Sequence, residues 1–529
     1  MMLQYEFEKR IPKRFCCHVG TKTFPLSMQD LRYLSESLEG RSSNPVALLF
    51  DTLMHPNADI GEHHQPTLIW RHFPSRAIPH IVLGSGEPGG SWHDMQFDIQ
   101  SLSLGSWLEL PVYSFASWEE ERHSHGKNSE GRVLLGDVAQ YYSDYVEKVG
   151  LQDKFVNGAM VDSVVSLKRR TGRLCSADSV FSPSSECTPE PESSRRSLGD
   201  RDLPSCRNAD SKTNCVNLTP TTAIDNQQLS EDFYFSCSNT ERFLPQSRDD
   251  SPVNSCCTSD PDDAGVYCCM AKEVCQCSEY KWSLRATRVR QCGCQQRVVV
   301  CAKNLVLATG VNGRPKRLNV SGESLPFVTH RFSDLPLKFP EAENSSHPVV
   351  VVGAGLSAAD AILLALSRGL TVVHVFYQDL TTSKLIYHKM PPEVYKEYSH
   401  IFNLMQGKVK SRQYIARPKH TLAEFKPGGV CVIRSEQGTL TEIVSSLALV
   451  LIGSHANLDF LPEALLQELG VHPNHPIHTK HNPVDVDCFT FECENIPSLY
   501  ALGPLVGDNF VRFGLGSALG ASQHLRTKL

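Results

Sequence analysis

The sequence predicts an α/β fold with a parallel sheet. Short apolar strands alternate with helical patterns, the strands end in glycine-containing turns, and one complete strand–turn–helix–strand unit is legible at residues 348–376. The 529-residue chain is 40% hydrophobic, enough for a substantial core, and its length suggests about three structural units at ~150 residues each. A formal net charge of −6 argues against a nucleic-acid footprint. No apolar run reaches the ~18 residues that a membrane span needs. The opening MMLQYEFEKRIPKRF lacks the apolar stretch of a secretory signal. With 19 cysteines, an odd number, reduced thiols and a cytoplasmic location are expected.

Taken in order, residues 79–83 read as a strand and 84–92 as a tight Gly/Pro loop. Residues 137–149 (DVAQYYSDYVEKV) carry the apolar spacing of an amphipathic helix. From 171 to about 280 the composition shifts to Ser, Asp, Asn, Thr and Pro, and fourteen of the nineteen cysteines fall between Cys175 and Cys301. Such a segment buries too little apolar surface to offset its chain entropy, so it is expected to be a long disordered insertion. Residues 281–289 and 297–308 read as strands of a hairpin or sheet, and 447–452 and 499–502 as short buried strands. Cys275, Cys277, Cys292 and Cys294 lack the spacing usual for zinc, and no metal is expected.

The strongest motif is PVVVVGAGLSAADAILLALSRGLTVVHVF. Four valines form a buried strand, and Gly353, Gly355 and Ala358 fall at the G-x-G-x-x-A positions. Gly353 permits a tight turn, Gly355 lets the backbone approach a pyrophosphate, and Ala358 allows close strand–helix packing. The helix that starts near Ser357 offers N–H groups and a positive dipole to phosphate. The pattern points to a nicotinamide dinucleotide. At the end of the second strand no Arg is present; Tyr377 is placed to stack on an adenine and Gln378 to bond a 2′-phosphate, which leaves NAD and NADP both open.

Two further loops are candidates. Gly84-Ser85-Gly86-Glu87-Pro88-Gly89 mimics a fingerprint, but Pro88 and the residues after it predict no helix to hold a pyrophosphate. Its useful part is Gly89, Gly90 and Trp92, where adjacent glycines let backbone lie against a ligand and the indole offers a stacking face. Near the C-terminus a strand runs into a Gly/Pro loop with Gly503, Asp508 and Asn509, followed by an Ala/Leu helix. In flavin enzymes an Asp directly after such a strand binds the ribitol; Pro504 occupies that place here, so Asp508 serves only if the loop is longer.

The segments SESLEGRSSNPVALLFDTLMHPNAD (35–59), GGSWHDM (89–95), LSLGSWLELP (102–111), GLSAADA (355–361), LVLIGSHANLDFLP (449–462) and LYALGPLVGDNFVRF (499–513) together resemble the oxidative stress-induced growth inhibitor family. The resemblance covers about residues 28–165 and 281–525. The family is similar to flavin-containing monooxygenases. The resemblance therefore implies a two-dinucleotide-binding-domain flavoprotein-like fold, with an FAD-type domain from 1–170, 281–345 and 441–529 and an NAD(P)-type Rossmann domain at 346–440. It also implies a role in restraining cell growth or in germ-cell maturation, NADPH-dependent monooxygenase chemistry, and protein partners. Gly89, Gly90 and Trp92 match its flavin-side G-G-x-W, and residues 308–310 its domain-crossing strand. Residues 327–330 partly match a monooxygenase signature ending in His330.

The departures shape the functional expectation. The family's first strand ends in G-x-G-P-S-G, which would hold the FAD pyrophosphate, and residues 1–80 carry no such motif. Either a different start or splice choice or a missing first β–α unit accounts for it, and the chain is expected to hold FAD poorly. Tyr377-Gln378 replaces an arginine run and weakens the match to NADPH. Two functions follow: an NADPH-dependent flavin monooxygenase, or a growth-regulatory scaffold that binds partners with little catalysis.

Overall fold

The computed structural model describes residues 5–9, 25–60, 64–122, 131–167, 280–290, 293–335, 338–339, 346–383 and 385–529. The expected insertion at 171–280 lies outside the described residues, apart from residue 280, as do Cys275, Cys277 and Cys292.

The fold is α/β, with the residues of one large unit organised around several apolar clusters. Helix α1 (Pro45–Met54) is followed by strand β1 (Val82–Gly84). The expected amphipathic helix forms as α2 (Leu135–Lys148), burying Val138, Ala139, Tyr141, Tyr142, Tyr145 and Val146. This is the spacing that puts every third or fourth side chain on one face. Strand β2 (Phe155–Asn157) pairs with β1 in parallel. Strands β3 (Ala159–Ser166), β4 (Trp282–Val289) and β5 (Gln295–Ala302) form an antiparallel sheet. The expected strand at 297–308 is therefore two: the chain leaves β5 at Ala302 and begins β6 (Leu305–Leu307), which pairs in parallel with the distant strand Leu499–Ala501.

The pairs β1–β2 and β6 with Leu499–Ala501 contribute to the same apolar cluster, yet no described strand joins them by hydrogen bonds. Val82 is 36% and Val306 38% exposed. Parallel strands are ordinarily covered on both faces and joined into larger sheets.

Around the 348–376 unit lie β7 (Val328–Thr329), β8 (Val349–Val352), β9 (Val372–Phe376), β10 (Tyr414–Pro418), β11 (His420–Lys426), β12 (Val430–Ser435), β13 (Leu440–Val444) and β14 (Leu447–Val450), while β15 (Leu499–Ala501) is the partner of β6. A five-stranded parallel sheet runs β7–β14–β8–β9–β10. It draws one strand from each side of residues 346–440. Strands β11, β12 and β13 make an antiparallel sheet.

The four valines of β8 are buried on both faces. Val349 and Val351 pack with helices α3 (Leu356–Ser367) and α4 (Lys396–Met405), while Val350 and Val352 pack with Leu422, Phe425, Cys431 and Ile433. A strand covered on both sides loses apolar–polar alternation, which is why the sequence shows a continuous run. The last helix, α5 (Gly514–Thr527), packs on α1. No helix among the described residues is long and apolar enough to cross a membrane.

Candidate functional site

The turn between β8 and α3 has the geometry its sequence requires. Gly353 takes φ +131°, and a Cβ there would sit 2.2 Å from the Leu451 carbonyl oxygen. Only glycine meets both conditions. Its N–H donates to the Val375 carbonyl at 3.1 Å. Gly355 is different. Its φ is −89°, which any residue adopts, and a Cβ there would meet no heavy atom within 4 Å. Among the described residues nothing demands glycine at 355.

Gly355 is the N-cap of α3, and no side chain caps the helix. The first N–H groups of such a helix have no intrahelical partner, and with the positive dipole end they favour an anion. Ser357 is exposed beside them, and Ala358 is fully buried where the helix meets the sheet.

The backs of both glycines are held by hydrogen bonds. His374 on β9 is fully buried, with Nε2 2.6 Å from the Gly353 carbonyl oxygen and Nδ1 2.7 Å from the Tyr414 hydroxyl. The Tyr387 hydroxyl donates to the Gly355 carbonyl at 3.3 Å. Burial pushes the His374 imidazole down to about 4, so the ring is neutral. Sequence reading took His374 only as part of a strand end. The available signal was a polar residue on the helix-facing side of β9, between the buried Val372 and Phe376.

At the end of β9, Tyr377 is 57% exposed and Gln378 is exposed beside it. Asp379 is occupied locally: its carboxylate accepts from the N–H and hydroxyl of Thr381, at 2.9 and 2.8 Å. These bonds, with the Lys419 charge, hold it below the usual carboxylate range.

A clamp that sequence reading missed reaches α4. The Arg132 guanidinium bonds Glu397 at 2.6 Å and the Val394 carbonyl at 3.1 Å, and lies 4.7 Å from the Tyr395 ring. Its Nε donates to the Ser101 carbonyl. The Tyr395 hydroxyl returns a bond to the Leu102 carbonyl at 2.9 Å. Nearby on α3, burial raises Asp360 to about 6, with the Tyr398 hydroxyl donating to it and Glu397 adding repulsion. Contacts so far apart in sequence leave no local signal.

Each of the other two loops sets some of its candidate residues against protein groups. Gly90–Asp94 forms a short 3-10 helix, where sequence reading expected no helix of any kind. Gly89 and Gly90 both take positive φ, at +110° and +54°. Trp92 packs 6.0 Å from the Tyr142 ring, so its indole face is partly covered by α2. Gly90 faces open space, as does Gly86 earlier in the loop. In the C-terminal loop, Gly503 also faces open space. Asp508 is buried and accepts from Ser42, from Asn44 at 2.8 Å and from Ser517 at 3.0 Å. Asn509 accepts from Thr479 and donates to the Gly507 carbonyl. The structure thus gathers Gly353, Gly355, Ser357 and Ala358 at one turn and leaves Asp508 and Asn509 engaged with protein groups. His330, at the end of the partial monooxygenase signature, pairs with Glu323 at 2.8 Å.

Comparison with known proteins agrees with this architecture. Residues 229–523 match the model of the pyridine nucleotide-disulphide oxidoreductase family, whose members are FAD/NAD(P)-binding flavoproteins. The chain is 33% identical to human oxidative stress-induced growth inhibitor 2, covering 94% of this chain and 83% of the relative. It is 34% identical to human oxidative stress-induced growth inhibitor 1, covering 94% and 85%. Among solved structures, a bacillithiol disulfide reductase from Bacillus cereus aligns at 12% identity and TM-score 0.49, over 92% of this chain and 97% of that one. A flavin monooxygenase from Stenotrophomonas maltophilia aligns at 13% identity and TM-score 0.41, over 85% and 98%. Identity of 33% and 34% over 94% of its length to the two human relatives establishes that the chain belongs to the oxidative stress-induced growth inhibitor family, and the match at residues 229–523 that it carries a pyridine nucleotide-disulphide oxidoreductase domain.

Proposed function

We propose that the chain is a growth-regulatory protein that binds NADPH at the 353–358 turn. The observation that carries the nucleotide site is the contrast between the two glycines: Gly353 is required by its own backbone and by Leu451, whereas no described group requires Gly355, which opens onto free space at a helix N-terminus. A pyrophosphate fits that space and that charge. Gln378 at the end of β9 supplies a hydrogen-bond donor for a 2′-phosphate, and Lys419 after β10, paired with the exposed Glu436 at 3.3 Å, is a cation that a 2′-phosphate would compete for.

Bound there, NADPH supplies a hydride. The residues of this chain bind and orient it: the α3 N–H groups take the pyrophosphate, Ala358 sets the helix close to the strand, and Tyr377 offers an adenine-stacking face. NADPH-dependent flavin monooxygenase-like chemistry is the activity the family resemblance implies. The flavin side fits less well. The Asp508 carboxylate has three protein donors, and no described strand joins the parallel pairs β1–β2 and β6–β15.

The same observation favours a second reading, a dinucleotide-binding flavoprotein-like scaffold that acts through protein partners. Titrating the purified chain with NADPH, and repeating it with Gly355→Trp, tests the binding site. Saturable binding abolished by the substitution is expected; binding that survives it sinks the site. NADPH consumption sensitive to Gly355→Trp selects the enzyme, and partner capture that survives the substitution selects the scaffold.

A further inference from the structure

We propose that His374 is the positioning residue of the fingerprint turn. It fixes the Gly353 carbonyl so that the turn meets a nucleotide pyrophosphate in a preset shape, and Tyr414 steadies the ring by donating to its other nitrogen. The proposal rests on the reading of residues 353–358 as a dinucleotide site and names what shapes that site.

The tautomer follows from the partners. A peptide carbonyl only accepts, so the 2.6 Å contact to Gly353 requires a proton on Nε2. In a neutral imidazole Nδ1 is then an acceptor, and the Tyr414 hydroxyl 2.7 Å away donates to it. The opposite arrangement, with Tyr414 accepting, would leave a bare nitrogen facing a carbonyl oxygen in a buried site. The Gly353 carbonyl therefore decides which nitrogen carries the proton, and the Tyr414 hydroxyl satisfies the other by donating to it.

Gly353 is in consequence fixed at both ends of its residue by β9. Its N–H goes to the Val375 carbonyl and its C=O receives His374, while Tyr387 takes the next glycine's carbonyl. All three bonds engage the turn from the protein side. A turn held this way has less freedom to lose when a ligand arrives, and preorganisation of that kind appears as affinity.

Packing alone does not explain a histidine here. On the same face of β9, Val372 and Phe376 are buried apolar residues of the cluster that includes Ala358, Ile362 and Tyr414. Burying an imidazole among them costs desolvation unless both nitrogens are bonded. Both are, and one of the two bonds goes to the first fingerprint glycine.

The test measures NADPH and ADP-ribose dissociation constants for the full chain and for His374→Phe, His374→Gln, Tyr414→Phe and Gly355→Trp, each beside its thermal midpoint. His374→Phe is expected to weaken both ligands about tenfold, which is ~1.4 kcal/mol. His374→Gln, whose amide can donate to the same carbonyl, should stay within about threefold of the parent. Tyr414→Phe should fall between them, and the ¹⁵N resonance pair of His374, assigned by its loss in His374→Gln, should show a protonated Nε2 in the parent.

A His374→Phe chain with a lowered midpoint and unchanged affinities overturns the proposal, because that is a packing role. Equal losses in His374→Phe and His374→Gln overturn the carbonyl bond as the cause. If His374→Phe fails to fold, the glutamine and Tyr414 variants carry the comparison, and parental affinity in Tyr414→Phe with a protonated Nδ1 in the parent overturns it. Gly355→Trp separates the two readings: insensitivity there removes the dinucleotide site itself, whereas its loss of binding alongside an unaffected His374→Phe removes only the role of His374.

Discussion

The Asp508 carboxylate accepts a hydrogen bond from the Asn44 side chain at 2.8 Å, joining positions 464 residues apart. Ser42 and Ser517 complete the set, so one buried anion ties the segment before α1 to the first turn of α5. Burial raises this carboxyl above its ordinary range, and the three donors offset part of that rise. Asp508→Ala strands three buried donors, each costing about 1–3 kcal/mol. Denaturant unfolding should show a loss of about 3 kcal/mol or more. A variant of parental stability would mean that the carboxylate is free for another role.

The two fingerprint glycines should respond oppositely to alanine. Gly353→Ala forces a Cβ into the Leu451 carbonyl at a positive φ, and combined strain and overpacking on the order of 3 kcal/mol is expected. Gly355→Ala has room and an ordinary φ, so its stability cost should stay below about 1 kcal/mol. Thermal unfolding of the two variants side by side checks this; equal destabilisation would contradict the open face at 355.

Arg132 should matter more than a surface arginine. Its side chain is only 6% exposed, and Glu397 opposite it is 31% exposed. Arg132→Met leaves Glu397 without its partner and removes the bonds to Ser101 and Val394. A loss of about 2–3 kcal/mol is expected, below the ~3–5 kcal/mol of a fully buried pair because Glu397 keeps some water. Removing this cation also raises Asp360 further above about 6, which a titration of the variant would register.

Stability between pH 4 and 7 should carry a His374 component. Its folded value near 4 lies below the 6.5 of an ordinary histidine. The unfolded chain therefore binds the extra proton first, and stability from this group is complete above about 6.5 and is lost as pH falls toward 4. The shift corresponds to roughly 3 kcal/mol. Because Asp51 and Asp360 are raised to about 6 and act in the opposite sense, the informative quantity is the difference from His374→Gln. The parent's stability relative to that variant should shrink from pH 7 to pH 4.5; a difference independent of pH would count against a buried neutral ring.

The purified chain, with no flavin added, should be colourless or nearly so in the visible. Asp508 is engaged by protein donors, and β1 and β6 belong to separate parallel pairs. Stoichiometric yellow flavin would show that neither feature prevents binding and would make oxygenation assays the next measurement.

Local sequence was sufficient for the elements whose cause is local. The valine run, the glycine spacing and the amphipathic period of 137–149 specify β8, its turn, α3 and α2, because strand burial, turn conformation and helical facing are written within a few residues. The same reasoning joined 297–302 to 305–308 into one strand, since both stretches are apolar and only their partners differ: β5 pairs with β4, and β6 with β15. The role of Asp508 was equally illegible, because its donors include Ser42 and Asn44, far away in the chain. Tertiary structure alone decided that Gly353 is held by His374, itself bonded to Tyr414, that no described group meets Gly355 from the front, and that Arg132 reaches α4. Hydrogen bonds between side chains and distant carbonyls depend on where strands lie in the sheet, and that order is set by the packing of the whole chain rather than by any window of it.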